Sequence, residues 1–188
     1  MVHLKTATEI ERIRTSCRIA ADAMLAVSEE LKPGVTTLYL DQVADQYIRS
    51  QNAVASALGY RGFPRSICIS VNNEVVHGIP GERVVQEGDI LAVDIAVKKD
   101  GYHGDTSKMF FAGEASILAK RLSKITQECM YRAIELVKPG ARLGDIGHAI
   151  QSHAEANRFS VVREFCGHGI AKVFHDEPQV LHYGRPGT

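Results

Sequence analysis

The chain has no excess of charge of either sign: 22 Lys and Arg stand against 22 Asp and Glu in 188 residues. With neither a basic patch nor an acidic run, nucleic acid and anionic membrane surfaces are not expected partners. No apolar stretch approaches the ~20 residues that span a bilayer, so no membrane segment is expected. The N-terminal stretch MVHLKTATEIERIR turns charged too early for a secretory signal. Cys17, Cys68, Cys129 and Cys166 are scattered without a C-x-x-C pair, which argues against a structural zinc or a redox couple and for reduced thiols in the cytoplasm. A G-x-S-x-G elbow, a Walker A loop, an H-E-x-x-H helix and a dinucleotide fingerprint are also missing, so the chemistries built on them have no support. Low-complexity sequence is absent apart from the last few residues. The length suffices for one domain, or two intimately packed halves, with a real core.

What is present centres on residues 89–111, DILAVDIAVKKDGYHGDTSKMFF. The apolar, β-branched run at 90–97 reads as a strand. Asp100-Gly101 supplies the positive φ angles of a two-residue turn, and a second strand follows at 102–111. That turn sets Ala96 opposite Asp105 and Asp94 opposite Ser107, so Asp94, Ala96 and Asp105 share one face. The two carboxylates become diagonal neighbours ~7–8 Å apart at the backbone, close enough for their side chains to converge. An aspartate inside LAVDIAV is costly unless paired or bound to a cation. Two on one face repel, which a divalent metal resolves. The bland alternative is a turn residue (Asp105) and a buried hydrogen-bond acceptor (Asp94).

Around this hairpin the periodicity predicts four helices. The first starts at a Thr8-x-x-Glu11 capping box, carries Ile10, Ile13, Cys17, Ala20 and Met24 on its inner face, and ends at Lys32-Pro33-Gly34. The second, about 38–50, turns Leu40, Val43, Ala44 and Tyr47 inward. A glycine- and aromatic-rich loop at 56–64 and a short strand at 65–71 follow. The third helix, 117–137, has Leu118, Leu122, Ile125, Cys129, Ala133 and Leu136 on one stripe and ends at Lys138-Pro139-Gly140. The fourth runs near 143–157, and a short strand is expected at 160–165.

The order helix, Lys-Pro-Gly, helix, strand, His-Gly-Ile occurs twice, once through His77-Gly78-Ile79 and again through His168-Gly169-Ile170. This recurrence suggests an internal duplication, with chance convergence of two helix–turn–helix units as the alternative. In the first copy the carboxylate hairpin follows His-Gly-Ile. In the second the chain reaches Thr188 first, so the last part of the second half is expected to be missing.

His168 lies between Gly167 and Gly169, and His175 follows Phe174. With His77, their glycine-rich or apolar settings point to a site, whereas His3, His103, His148, His153 and His182 read as satisfied or solvated side chains. Two aspartates and one histidine suit Mn, Fe(II), Co or Zn rather than a thiolate zinc site. Paired metals sharing carboxylates activate water for amide hydrolysis.

The stretches EVVHGIP, DILAVDIAVKKDGYHGDTSKMF and SVVREFCGHGIAKVFHDEPQVLHYG resemble the type I methionine aminopeptidases, and the resemblance runs from the first helix to Thr188. It implies an α/β pita-bread fold, two pseudo-symmetric helix-helix-strand halves (1–113 and 114–188) around a mainly antiparallel sheet, forming a single catalytic domain. It implies metal ligation by Asp94, Asp105 and His168, with Asp105 bridging up to two ions of Co, Mn, Fe(II) or Zn. His77 corresponds to a substrate-contacting histidine that handles a proton, and His175 to one that stabilises the oxyanion. Tyr60, Phe63, Cys68 and Phe174 correspond to the walls of the methionine pocket, plain core packing being their alternative. The implied partner is the N-terminal methionine of nascent polypeptides, met at the ribosome by a monomeric cytoplasmic enzyme. The family also uses two glutamates on later strands, so a C-terminally truncated chain with weakened metal binding is expected. Two readings compete with the enzyme: an inactive truncated fragment, and a pita-bread binding protein without catalysis.

Overall fold

A computed structural model describes residues 2–188. The chain forms two compact units, His3–Ala115 with Ile170–Phe174, and Ser116–Gly169 with His175–Thr188.

The first unit begins with α1, Ala7–Glu30. Its capping box is Thr6 with Glu9, not the expected Thr8 with Glu11. Both pairs fit the Thr-x-x-Glu pattern, and tertiary structure chooses between them. The Glu9 carboxylate accepts from the Thr6 N–H at 2.9 Å and also from the Tyr102 hydroxyl at 3.1 Å, while Glu11 pairs with Arg14 on the exposed side. The buried stripe of α1 is Ser16, Ile19, Ala20, Ala23, Met24 and Val27. The expected inward residue Ile10 is instead 43% exposed. Helix α2, Thr37–Ser50, buries Leu40, Ala44 and Ile48, with Val43 and Tyr47 packed against the same core.

Both helices contribute to one apolar cluster with the sheet strands β1 (Val54–Ala55), β2 (Cys68–Val71), β3 (Ile90–Lys99) and β4 (Tyr102–Phe111). All pairings are antiparallel: β3 bonds to β1 and β2 on one side and to β4 on the other. Leu91, Val93, Ile95 and Val97 are fully buried and join the cluster with α1 and α2. By period two, the alternate residues Ala92, Asp94 and Ala96 face the other way. The strand expected at 65–71 is shorter because the Ser66 and Ile67 N–H groups both donate to Asp41 Oδ1, at 2.9 Å each, instead of entering the ladder.

Gly104 explains how closely α1 approaches β4. A Cβ at this position would come within 2.2 Å of the Cys17 nitrogen, so only glycine fits. The approach is sealed by the Ser16 hydroxyl, which donates to the Tyr102 carbonyl at 2.9 Å.

The second unit holds α3 (Ile117–Glu135) and α4 (Leu143–Ala156). Their common core is Ile125, Cys129 and Ala154, with Ile150, Phe159 and Val161 packed on it. Leu118 and Leu122 of the expected stripe are 63% and 39% exposed. No strand forms at 160–165; the ladder lies further on, between β5 (Gly167–Gly169) and β6 (Asp176–Val180). A strand exists only where a partner presents its backbone, and here the partner β6 meets Gly167 to Gly169. Gly169 is required there, since a Cβ would fall 2.1 Å from the Glu177 carbonyl oxygen.

Candidate metal centre and its aromatic wall

The β3–β4 ladder forms in the expected register. Asp100 and Gly101 take φ of 50° and 83°, giving the two-residue turn, and Ala96 pairs with Asp105 and Asp94 with Ser107. Cys68 of β2 pairs with Asp94 from the other side. One face of the sheet therefore carries Cys68, Asp94, Asp105 and His103.

Asp94 and Asp105 converge to a side-chain hydrogen bond. Burial, then the neighbouring Asp105 charge and that hydrogen bond, hold Asp94 well above the ordinary carboxylate range. Two carboxylates this close share one proton, and both ionise only with a cation between them. Cys68 is driven the other way from reactivity. Burial, reinforced by Asp94 and Asp105, pushes its thiol up to about 12, so it stays a neutral apolar neighbour of the pair.

The aromatic residues of this unit assemble beside the same strands. Tyr60 and Phe174 meet edge to face, with centroids 5.2 Å apart and planes at 72°. Phe63 closes the Tyr60–Gly62 turn, its N–H donating to the Tyr60 carbonyl at 2.9 Å. His77 is exposed in a left-handed backbone conformation, φ 59°. Its neighbour Gly78 is pinned to β2, donating to Ser70 Oγ at 3.0 Å and accepting from the Ile69 N–H at 3.0 Å.

In the second unit the rings of His168, on β5, and His175 lie 4.3 Å apart between centroids. His168 Nδ1 is 2.9 Å from the Gly169 carbonyl, to which it donates. In the neutral ring this places the lone pair on Nε2, the tautomer a metal-ligating histidine needs. Among the described residues no three His, Cys, Asp or Glu side chains come together as a complete ligand set. The structure unites the carboxylate pair in one unit and the two histidines in the other.

Of the histidines read as satisfied side chains, His153 meets Glu128 at 2.8 Å, His148 meets Ser152 at 3.2 Å and His182 donates to the Val162 carbonyl at 3.3 Å. His103 is also satisfied, by Ser56, but it stands on the carboxylate face two residues before Asp105. That position could have been read from strand periodicity.

The model of metallopeptidase family M24 matches residues 11–188. The chain belongs to this family. Relatives within it include the methionine aminopeptidase of Escherichia coli (strain K12), 50% identical over 184 residues, which make up 97% of this chain and 70% of that protein. The crystal structure of methionine aminopeptidase from Rickettsia prowazekii superposes with a TM-score of 0.98 at 45% identity, covering all of this chain and 76% of the other. The prolidase of Pyrococcus furiosus matches at a TM-score of 0.83 and 21% identity, over 96% of this chain and 52% of its own, a likeness of fold alone. The M24 chain thus has the pita-bread fold expected from its sequence. As a member of this metallopeptidase family it uses divalent metal. No helix among the described residues is long and apolar enough to cross a membrane.

Proposed function

We propose that this chain is a methionine aminopeptidase, a metal-dependent hydrolase that removes the initiator methionine from nascent proteins whose second residue is small. The observation that carries the reading is the Asp94–Asp105 pair, formed in the register that its sequence requires, in a chain half identical to the E. coli enzyme over nearly its whole length.

The residues fit a divalent ion of the Mn, Fe(II), Co or Zn group. Hard carboxylate oxygens on Asp94 and Asp105 and one imidazole, His168, match that preference, and the Nδ1–H of His168 is already committed to a carbonyl. In this reading Asp94, Asp105 and His168 would be the residues that hold the metal. Such an ion, when bound, polarises the scissile carbonyl and lowers the pKa of water.

The chain's own groups do the rest. His77 carries a proton near the scissile amide, and His175 donates to the developing oxyanion, a charge that preorganised donors stabilise best. Tyr60, Phe63, Cys68 and Phe174 receive the methionine side chain; the neutral Cys68 thiol suits an apolar wall, and the thioether gains from aromatic edges. The enzyme works in the cytoplasm as a monomer on chains leaving the ribosome.

The test is calorimetric titration of Mn(II) or Co(II) into metal-free protein, with Met-Ala-Ser hydrolysis followed in the same samples. Binding with turnover, both lost in Asp94→Asn and Asp105→Asn, is the expected result. Absence of both in the unaltered chain would overturn the reading.

A further inference from the structure

Among the described residues His103 is a buried histidine, 7% exposed, that none of the roles above employs. It lies on β4 with its side chain on the face of Asp105 and Asp94, paired in the ladder with Lys98. Its imidazole is used on two sides. At the edge, Nδ1 is 2.8 Å from Ser56 Oγ. On the flat side, the ring stacks on Phe174 with centroids 5.3 Å apart and planes within 10°. Phe174 in turn receives the edge of Tyr60.

The same residue also anchors the backbone carrying Phe174. The His103 N–H donates to the Ala171 carbonyl at 2.8 Å, and the Ala171 N–H to the Val173 carbonyl at 3.3 Å. The segment Ile170–Phe174 is thus held to β4 by main chain at one end and by a ring stack at the other. A phenyl ring at 103 could stack but could not bond Ser56; an amide could bond Ser56 but would stack poorly. Histidine does both, and the Ser56 contact fixes the plane against which Phe174 rests.

We propose that His103 is a positioning residue for substrate specificity: clamped by Ser56, it sets the orientation of Phe174 and with it the shape of the pocket for the substrate's first side chain. This rests on the reading of Tyr60 and Phe174 as walls of that pocket. His103 touches no reacting atom in this role and is not a catalytic residue.

The experiment compares the 188-residue chain with His103→Leu, His103→Phe and Ser56→Ala. Because P1 contacts act mainly on binding and discrimination, His103→Leu should raise KM for Met-Ala-Ser about tenfold, with kcat within about threefold. Preference for Met-Ala-Ser over Leu-Ala-Ser should narrow at least about fivefold. His103→Phe, which keeps a stacking ring but loses the Ser56 bond, should recover only part of the loss, and Ser56→Ala should likewise fall between His103→Leu and the unaltered chain. Mn(II) affinity by calorimetry should stay unchanged. Unaltered KM and discrimination in His103→Leu, or a parallel fall in Mn(II) affinity, would overturn the proposal, the latter because His103 would then be acting through Asp105.

A second readout needs no turnover. Amide hydrogen exchange across 170–174 in metal-free protein should quicken about tenfold in His103→Leu and return toward the unaltered rate in His103→Phe. Unchanged exchange overturns the positioning role even where hydrolysis is seen. If the unaltered chain neither binds metal nor hydrolyses peptide, the aminopeptidase reading fails while the exchange result still decides whether His103 orders the segment. Should His103→Leu not fold, Ser56→Ala carries both readouts, with the same outcomes overturning the proposal.

Discussion

The two units start from the same sequence plan, two helices followed by a His-Gly-Ile segment, and build different interiors from it. In the first, α1 and α2 lie on a four-stranded sheet and share one cluster with β2 and β3 that includes Leu40, Ile48, Leu91 and Ile95, all fully buried. In the second, α3 and α4 share a small core of Ile125, Cys129 and Ala154, while Ile117, Leu118, Tyr131, Ile134 and Val137 of α3 and its exit are more than half exposed. The His-Gly-Ile segments differ in the same way. Gly78 runs beside β2 through two hydrogen bonds, whereas Gly167–Gly169 is itself a strand paired with β6. A repeated pattern specifies which residues are apolar and where helices stop. What those residues meet depends on the strands available to receive them.

This contrast can be broken most severely at Gly104. Gly104→Val would drive a side chain into the α1 backbone at Cys17, and neither backbone can yield easily. A loss of about 3 kcal/mol or more, or failure to fold, is expected, read as the urea midpoint.

A graded comparison follows from leucines in the two units. Leu91→Ala, at a fully buried site, should cost about 3 kcal/mol. Leu118→Ala, 63% exposed on α3, should stay within about 0.5 kcal/mol. Equal effects in chemical denaturation would mean that α3 is as deeply packed as β3.

The carboxylate pair gives the first unit a pH signature. Burial and the neighbouring Asp105 charge push the Asp94 carboxyl well above its unfolded value, toward neutral pH. A carboxyl whose folded pKa is raised contributes stability that is full below the unfolded value and lost as pH rises through the folded one. Metal-free protein should therefore lose roughly 2 kcal/mol between pH 5 and pH 8 from this group. Asp94→Asn should flatten that slope in thermal melts, and Mn(II) should oppose it by replacing the proton.

The smallest expected effect separates the two candidate caps of α1. Thr6→Ala should cost about 1 kcal/mol, since its hydroxyl accepts from the Glu9 N–H at 3.3 Å. Thr8→Ala should be nearly silent. The reverse order in thermal melts would place the helix start two residues later.

Much of the first unit was legible because its signals are local. Asp100-Gly101 dictates a tight turn, the turn dictates register, and register places Asp94 and Asp105 on one face. Helices α2 and α4 were legible from periodicity to within a residue or so at each end. Misreadings arose where two local options were equivalent or where a strand needed a distant partner. Thr6 and Thr8 offer the same capping pattern, and the choice lies with Tyr102, 93 residues from Glu9. Residues 160–165 have strand composition without a ladder. Ser66 and Ile67 were lost from β2 to a carboxylate on α2. His103 was read as a satisfied side chain, and it is one; its partners, Ser56 and Phe174, are 47 and 71 positions away along the chain.

By itself, the sequence determined the helices, the tight hairpin, the convergence of two aspartates and, through its motifs, the metallopeptidase family. These follow from period, turn chemistry and the cost of burying charge, all of which act over a few residues. The tertiary structure alone decided which threonine caps α1, how closely α1 may approach β4 at Gly104, and that His103 joins Ser56 to Phe174. Each of these depends on surfaces that meet only after folding, where a single Cβ or one distant hydroxyl selects among arrangements that local sequence leaves equal.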